Sequence, residues 1–192
     1  MGEPGRSASE VTELYLQEVR REFGSLKRLA EKSLAQVSDN DFIATLDPGS
    51  NSIAVIVKHL AGNLRSRWTD FLTSDGEKPD RRRDSEFEIG PEDTRPSLAG
   101  RWEEGWRTLF AALEALAPED LSREVRIRGE RISVVRAINR QLTHYADHVG
   151  QIVLLSKHWA GERWQTLSVP RGRSEEFNRA AVERAKEKRQ ER

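Results

Sequence analysis

The chain contains no cysteine, which excludes disulfides, thiolate metal ligands and a cysteine nucleophile. Any metal it binds must rest on nitrogen and oxygen. It also lacks an excess of either charge: 32 basic and 32 acidic side chains cancel. No global field therefore draws nucleic acid or an anionic membrane, and either partner would need a local patch, for which only weak candidates exist. No apolar run approaches the length of a bilayer span, and the N-terminal MGEPGRSASEVTE has no apolar centre of a secretory signal. Internal repeats and low-complexity tracts are missing too. The expectation is a soluble, cytoplasmic protein whose partner is a small molecule, with neither nucleic acid nor membrane. With 36% hydrophobic residues over 192 positions, one sizeable core and a single domain over 1–192 are expected, with a body at about 9–160 and a C-terminal extension at 161–192.

Apolar residues recur at helical spacing in four long segments, which predicts an all-α fold. The first runs from about Ser9 to Val37 and ends at SDNDFIATLDPGSN. A second begins at Asn51 or Ser52, either of which can cap it, and carries Ile53, Ile56, Val57, Leu60, Leu64, Trp68 and Leu72. The third, from about Ser97 to Leu116, places Trp102, Trp106, Leu109, Phe110 and Leu113 three and four apart, and Pro118 forbids its continuation. The fourth follows Ser133 and runs to about Trp159. Between the second and third lies a segment at 73–96 that is rich in charge and poor in apolar residues, which suits a solvated crossover. REVRIRGERI, before the fourth helix, reads as a short β-hairpin around Gly129. Ser174, Glu175 and Glu176 open a charged C-terminal helix.

The fourth helix contains HYADHVGQI, with His144 and His148 one turn apart. An i, i+4 pair lies about 40° apart in angle and about 6 Å apart along the axis, so both imidazoles can face one cation. This is the two-histidine half of a zincin site without its glutamate, because Tyr145 stands in that place. By itself the pair is as consistent with two hydrogen-bonded core histidines as with ligands. His59, in VIVKHLAGN, shifts the balance, since three of only four histidines then occupy apolar helical runs. A buried imidazole must satisfy both nitrogens, and one ion would satisfy three rings together. His158, ten residues past His148, is about 15 Å further along the axis and cannot share that ion. Asn63, one turn after His59, and Gln151, three residues after His148, are the nearest polar candidates to orient the rings. Each serves equally well to face a neighbouring helix.

On these residues the chain resembles the DinB-like (damage-inducible) metalloproteins, and within them a branch of bacterial proteins of unknown function. The resemblance rests on NSIAVIVKHLAGNLRSRWTDFLTSDGEKP, on RIRGERISV, on HYADHVGQI and on the closing SVPRGRSEEFN. It implies a four-helix bundle with a long crossover and frequent homodimers. It also implies a divalent metal held at one end of the bundle by His59, His144 and His148.

Three imidazoles leave such an ion its full charge and at least one open position, which makes it a Lewis acid. Zinc and nickel are the foremost candidates, and all-nitrogen ligation does not choose between them. Some members of the resembled family transfer low-molecular-weight thiols such as bacillithiol or mycothiol, which implies a metal-dependent thiol S-transferase with the thiol as second cofactor. Two alternatives stand beside it: a metal-dependent hydrolase, and a non-catalytic metal- or ligand-binding stress protein. Hydrolysis wants a carboxylate beside the metal. Asp147 lies about 60° off the face of His144 by helical geometry, and Asp70 is two turns or more past His59. No residue is singled out as catalytic.

Overall fold

The computed structural model describes residues 6–190. Capping side chains set the helix starts. Ser7 and Glu10 form a reciprocal capping box at the start of α1 (Ala8–Leu34). Ser38 and Asp41 do the same for a short α2 (Asp39–Ile43), inside the stretch expected to be only a break. That turn is helical because Phe42 inserts into the core, with the Arg95 guanidinium over its ring. Ser52 caps α3 (Ile53–Trp68), and Thr94 caps α4 (Arg95–Glu114), with Pro96 in the first turn where its missing N–H costs nothing. Strands β1 (Glu124–Ile127) and β2 (Glu130–Ser133) form a two-stranded antiparallel hairpin, and Ser133 then caps α5 (Val134–Ala160). A final helix, α6 (Ser174–Gln190), follows.

The fold is therefore mostly α with one small hairpin before the last long helix, as expected. The four long helices close a ring of contacts: α1 packs chiefly on α5, α3 chiefly on α4, with lesser contacts between α3 and α5 and between α1 and α4. No helix among the described residues is long and apolar enough to cross a membrane. Helix α6 exposes its apolar side chains Phe177 and Val182.

The bundle centre is aromatic. Phe23 of α1 lies 5.8 Å from both Trp68 of α3 and Tyr145 of α5, and Trp106 of α4 is 5.8 Å from Tyr145, so each long helix contributes one ring. Edge-to-face and tilted arrangements of this kind add about 0.5–1.5 kcal/mol per pair beyond their area. The Tyr145 hydroxyl is completely buried, yet it has two partners: it donates to Asn63 Oδ1 at 3.0 Å and accepts from Trp68 Nε1 at 3.0 Å. Burial pushes its pKa up, so it remains a phenol.

The crossover between α3 and α4 departs from the expectation of a solvated loop. Asp75 accepts the backbone N–H groups of Arg128 and Gly129 at 2.8 Å each, pinning the crossover to the hairpin turn, where Arg128 adopts a positive φ. Asp93 is buried and pairs with Lys58 of α3 and Arg101 of α4. Arg67 of α3 donates to the Gly76 carbonyl and pairs with Glu77. A charged sequence can still be a packed one when its charges are matched by those of the helix beneath it.

Helices α3 and α4 approach closely at Gly105, where an added Cβ would stand 2.8 Å from Leu64 Cβ and 3.4 Å from the Ala61 carbonyl. Both neighbours are attached rigidly to the backbone. In Gly105→Ala, about 1 kcal/mol of gained helix propensity opposes an overpacking cost of about 1–3 kcal/mol. The variant is expected to be less stable by up to about 2 kcal/mol in urea unfolding; a gain in stability would contradict the close packing described.

Candidate metal centre

Helix α3 is buried on almost every side, because α4, α5, α2 and the crossover all lie against it. His59 is caught in that burial at 4% exposure, and a buried ring N–H without an acceptor would cost about 1–3 kcal/mol. The acceptor is Glu86, from a 3-10 turn at Asp84–Phe87 in the crossover: its Oε2 lies 2.9 Å from His59 Nδ1. Glu86 is itself buried and is clamped by Arg81, whose Nε and Nη2 each donate at 2.8 Å. Burial pushes the Glu86 carboxyl up, but the hydrogen bonds from His59 and Arg81, with the Arg81 charge, hold it below the ordinary carboxylate range. An ionised Glu86 can only accept, so His59 carries a proton on Nδ1, and in the neutral ring this leaves the lone pair on Nε2.

His59 Nε2 points at α5. It lies 3.4 Å from Nε2 of His144, and the ring centroids of His59, His144 and His148 are separated by 4.7–5.4 Å. One nitrogen from each ring falls within 4.8 Å of the others, a cluster that can hold a metal ion. The expected trio of His59, His144 and His148 is thus brought together in space. His158 is not part of it, lying in the last turn of α5 with its ring against Trp159.

The donor chemistry suits a cation despite the arginines nearby. Burial first, then the His148, His59, Arg67 and Arg81 charges, push His144 down to about 3. His148 is pushed down as well, by burial and by His59, against opposing help from Gln151 and Asp147. At neutral pH both rings are uncharged and carry free lone pairs, as ligands must. Gln151 Oε1 lies 3.3 Å from His148 Nδ1, where it accepts that N–H. Nδ1 of His144 is buried with no partner. Three nitrogens converging on one point, from rings that are uncharged at neutral pH, fit a divalent ion.

The two residues expected to orient the rings fall in different places. Gln151 touches His148 as described. Asn63 lines the same cavity as His59 and His144, but its Oδ1 is taken by Tyr145. The pair that grips His59, Glu86 with Arg81, was not anticipated. Its only trace in the sequence is a charge-rich segment, and no spacing rule ties a loop carboxylate to a helical histidine 27 positions earlier.

Comparison with known families matches residues 10–173 to the family described as "Protein of unknown function (DUF1572)". The match spans most of the chain, and the protein belongs to that family. No curated protein sequence matches it.

Gly62, one turn along α3 from the preceding contacts, has no room for a side chain, since a Cβ there would overlap the Glu86 carboxylate. Gly62→Ala is expected to push Glu86 away from His59. Nitrogen-15 NMR of the imidazoles should show a single Nδ1–H tautomer for His59 in the parent protein and a tautomer mixture in the variant. An unchanged His59 signal in Gly62→Ala would contradict the assigned contact.

Proposed function

We propose that this DUF1572 protein is a divalent-metal-dependent member of the DinB-like superfamily, in which His59, His144 and His148 hold the ion and a low-molecular-weight thiol is the substrate transferred. The observation that supports this most is the convergence of three imidazole nitrogens within 4.8 Å, on rings whose other nitrogens are engaged by Glu86 in one case and Gln151 in another. Zinc or nickel suits the donor set. When bound, the ion supplies Lewis acidity at an open position, enough to bring a coordinated thiol to its anionic form at neutral pH without a dedicated protein base.

The remaining roles fall to the protein's own side chains. Glu86 holds the His59 proton at Nδ1 and so directs Nε2 inward, and Arg81 keeps Glu86 ionised. Gln151 does the same for His148 from within α5. Such partners raise ligand basicity and fix ring orientation, and losing one costs about 10–100-fold in metal affinity. His144 and His148 are only half-buried, and a cavity opens onto His59 and His144. That access favours a working site over a closed structural one.

Hydrolysis is the weaker reading on one observation. A base that accepts a proton from water must be free to do so, whereas both oxygens of Glu86 are already occupied by His59 and Arg81. A homodimer, which the superfamily resemblance implies, and a cytoplasmic location, expected from the sequence, belong to this reading as further proposals.

Protein purified without added metal is expected to carry about one divalent ion per chain, measured by elemental analysis. His59→Ala, His144→Ala and His148→Ala should each lose most of it, and His158→Ala should retain it. Metal retained in full by a His144→Ala/His148→Ala double variant would remove the metal site. The metal-loaded protein should accelerate thioether formation between a small thiol and an electrophile, and chelation should abolish this. Failure with bacillithiol, mycothiol, glutathione and coenzyme A alike would remove the transferase reading while leaving the metal site standing.

A further inference from the structure

The cavity beside the histidine cluster has a volume of about 190 Å³, below the roughly 300–1,000 Å³ of a pocket that takes a whole drug-sized ligand. It suits a single polar group. Its wall carries five guanidinium groups, those of Arg67, Arg81, Arg83, Arg128 and Arg140, with no carboxylate among the lining residues. Among the described residues two carboxylates form ion pairs with them, and Asp75 acts on Arg67 at longer range. Glu77 pairs with Arg67, Arg81 and Arg128, and Glu86 pairs with Arg81. Two ion-paired carboxylates against five guanidinium groups, with Asp75 at longer range, still leave an excess of positive charge. Among the described residues neither Arg83 nor Arg140 forms an ion pair; Arg83 lies over the Phe87 ring at 5.1 Å. In a chain whose net charge is zero, this is a strong local concentration of one sign.

A second observation points to a ligand. Gln141 lines the same cavity one turn before His144 and is 4% exposed, yet its Oε1 has no hydrogen-bond partner. Nε of Arg67, another buried lining residue, is also without one. Buried polar atoms are nearly always satisfied, and a half-turn of the Gln141 amide would present its two N–H donors instead of the oxygen. Unpaired guanidinium and amide donors around a small cavity form a receptor for a planar or tetrahedral oxyanion.

We propose that this cavity binds an oxyanion, a carboxylate or phosphate group, carried by the small molecule that reaches the histidine cluster. The proposal rests on the reading of that cluster as a metal-bearing site for its connection to catalysis, but the arginine cavity itself needs no metal. Arg140 and Arg83, both exposed, would capture the anion from solution, and Arg67 and Gln141 would hold it at the cavity floor. The histidine cluster would thus receive one end of a substrate whose anionic end lies in the cavity. Neutral analogues would bind poorly because they leave the arginine excess uncompensated.

The test is calorimetric titration of the full chain, once with metal removed and once reloaded with zinc, using inorganic phosphate, succinate and the neutral succinamide. Phosphate or succinate is expected to bind saturably with and without zinc, more weakly as salt rises, and succinamide is expected not to bind. The tighter of the two anions identifies the group. Arg83→Ala and Arg140→Ala, at exposed positions, should each weaken that anion about tenfold with unchanged thermal stability. Gln141→Leu should weaken it too without lowering stability, which a merely structural role for the amide would not produce. Absence of saturable anion binding, or binding seen only with zinc and unaltered in the Arg83→Ala/Arg140→Ala double variant, would overturn the proposal. If zinc binds but anions do not, this inference fails and the metal reading stands; if anions bind to a protein that takes up no metal, the reverse holds.

Discussion

A buried imidazole that must donate from one nitrogen and accept on the other is the constraint around which this molecule is organised. His59 sits where α3 is enclosed by its neighbours, and the buried Glu86 carboxylate, not solvent, meets its Nδ1. The donor side is met by Glu86, whose own charge then needs Arg81, and those residues belong to the crossover between α3 and α4. Removing one member of a buried charged set leaves its partner uncompensated, at about 3–5 kcal/mol. His59, Glu86 and Arg81 therefore stand or fall together, which ties the crossover's place on the bundle to that of α3. The absence of a side chain at Gly62 is the steric counterpart, because it gives the Glu86 carboxylate its place.

The acceptor side of His59 faces α5, and there the aromatic core takes over. Tyr145 is locked by Trp68 and Asn63 and by edge contacts with Phe23 and Trp106. With Tyr145 fixed in the centre, His144 is turned by about 100° to the rim of the bundle, and His148 returns to the same rim one turn later. Core and site are thus coupled through adjacent residues. The hydrogen bond from the Tyr145 hydroxyl to the Asn63 amide oxygen sets the rotation of α5 relative to α3, and that rotation brings three rings from two helices to one point.

Much of this could be read from the sequence, for definable reasons. The long helices follow from apolar residues three and four apart, and two of their starts from Ser52 and Ser133, which cap through short-range contacts that sequence spacing encodes, whereas α4 starts at Arg95 on a Thr94 cap, just ahead of the expected Ser97. The histidine pair was legible for the same reason, since i, i+4 geometry is local. Joining His59 to that pair required only that three histidines lay in apolar helical runs. What was not legible depends on the tertiary return of the chain. Glu86 and Arg81 lie among exposed-looking charges, and only the folded crossover shows that Asp75, Asp93 and Glu86 are anchors rather than a solvated surface. Asn63 stood in the right turn of α3 but is engaged by Tyr145 instead of an imidazole, because helical spacing fixes a face and not a partner. The arginine cavity was invisible because its five guanidinium groups come from α3, the crossover, the hairpin and α5, and the balancing acids elsewhere bring the chain to zero net charge.

The central claim, that three imidazoles from two helices share one divalent ion, is tested most directly by anomalous diffraction at the zinc and nickel edges. Crystals should come from protein purified with neither chelator nor added metal. The account predicts one anomalous peak per chain, within bonding distance of one nitrogen each of His59, His144 and His148, with Glu86 still on the far nitrogen of His59 and at least one coordination position open to the arginine-lined cavity. A well-ordered site without such a peak, with the three rings hydrogen-bonded to one another or to water, would contradict it.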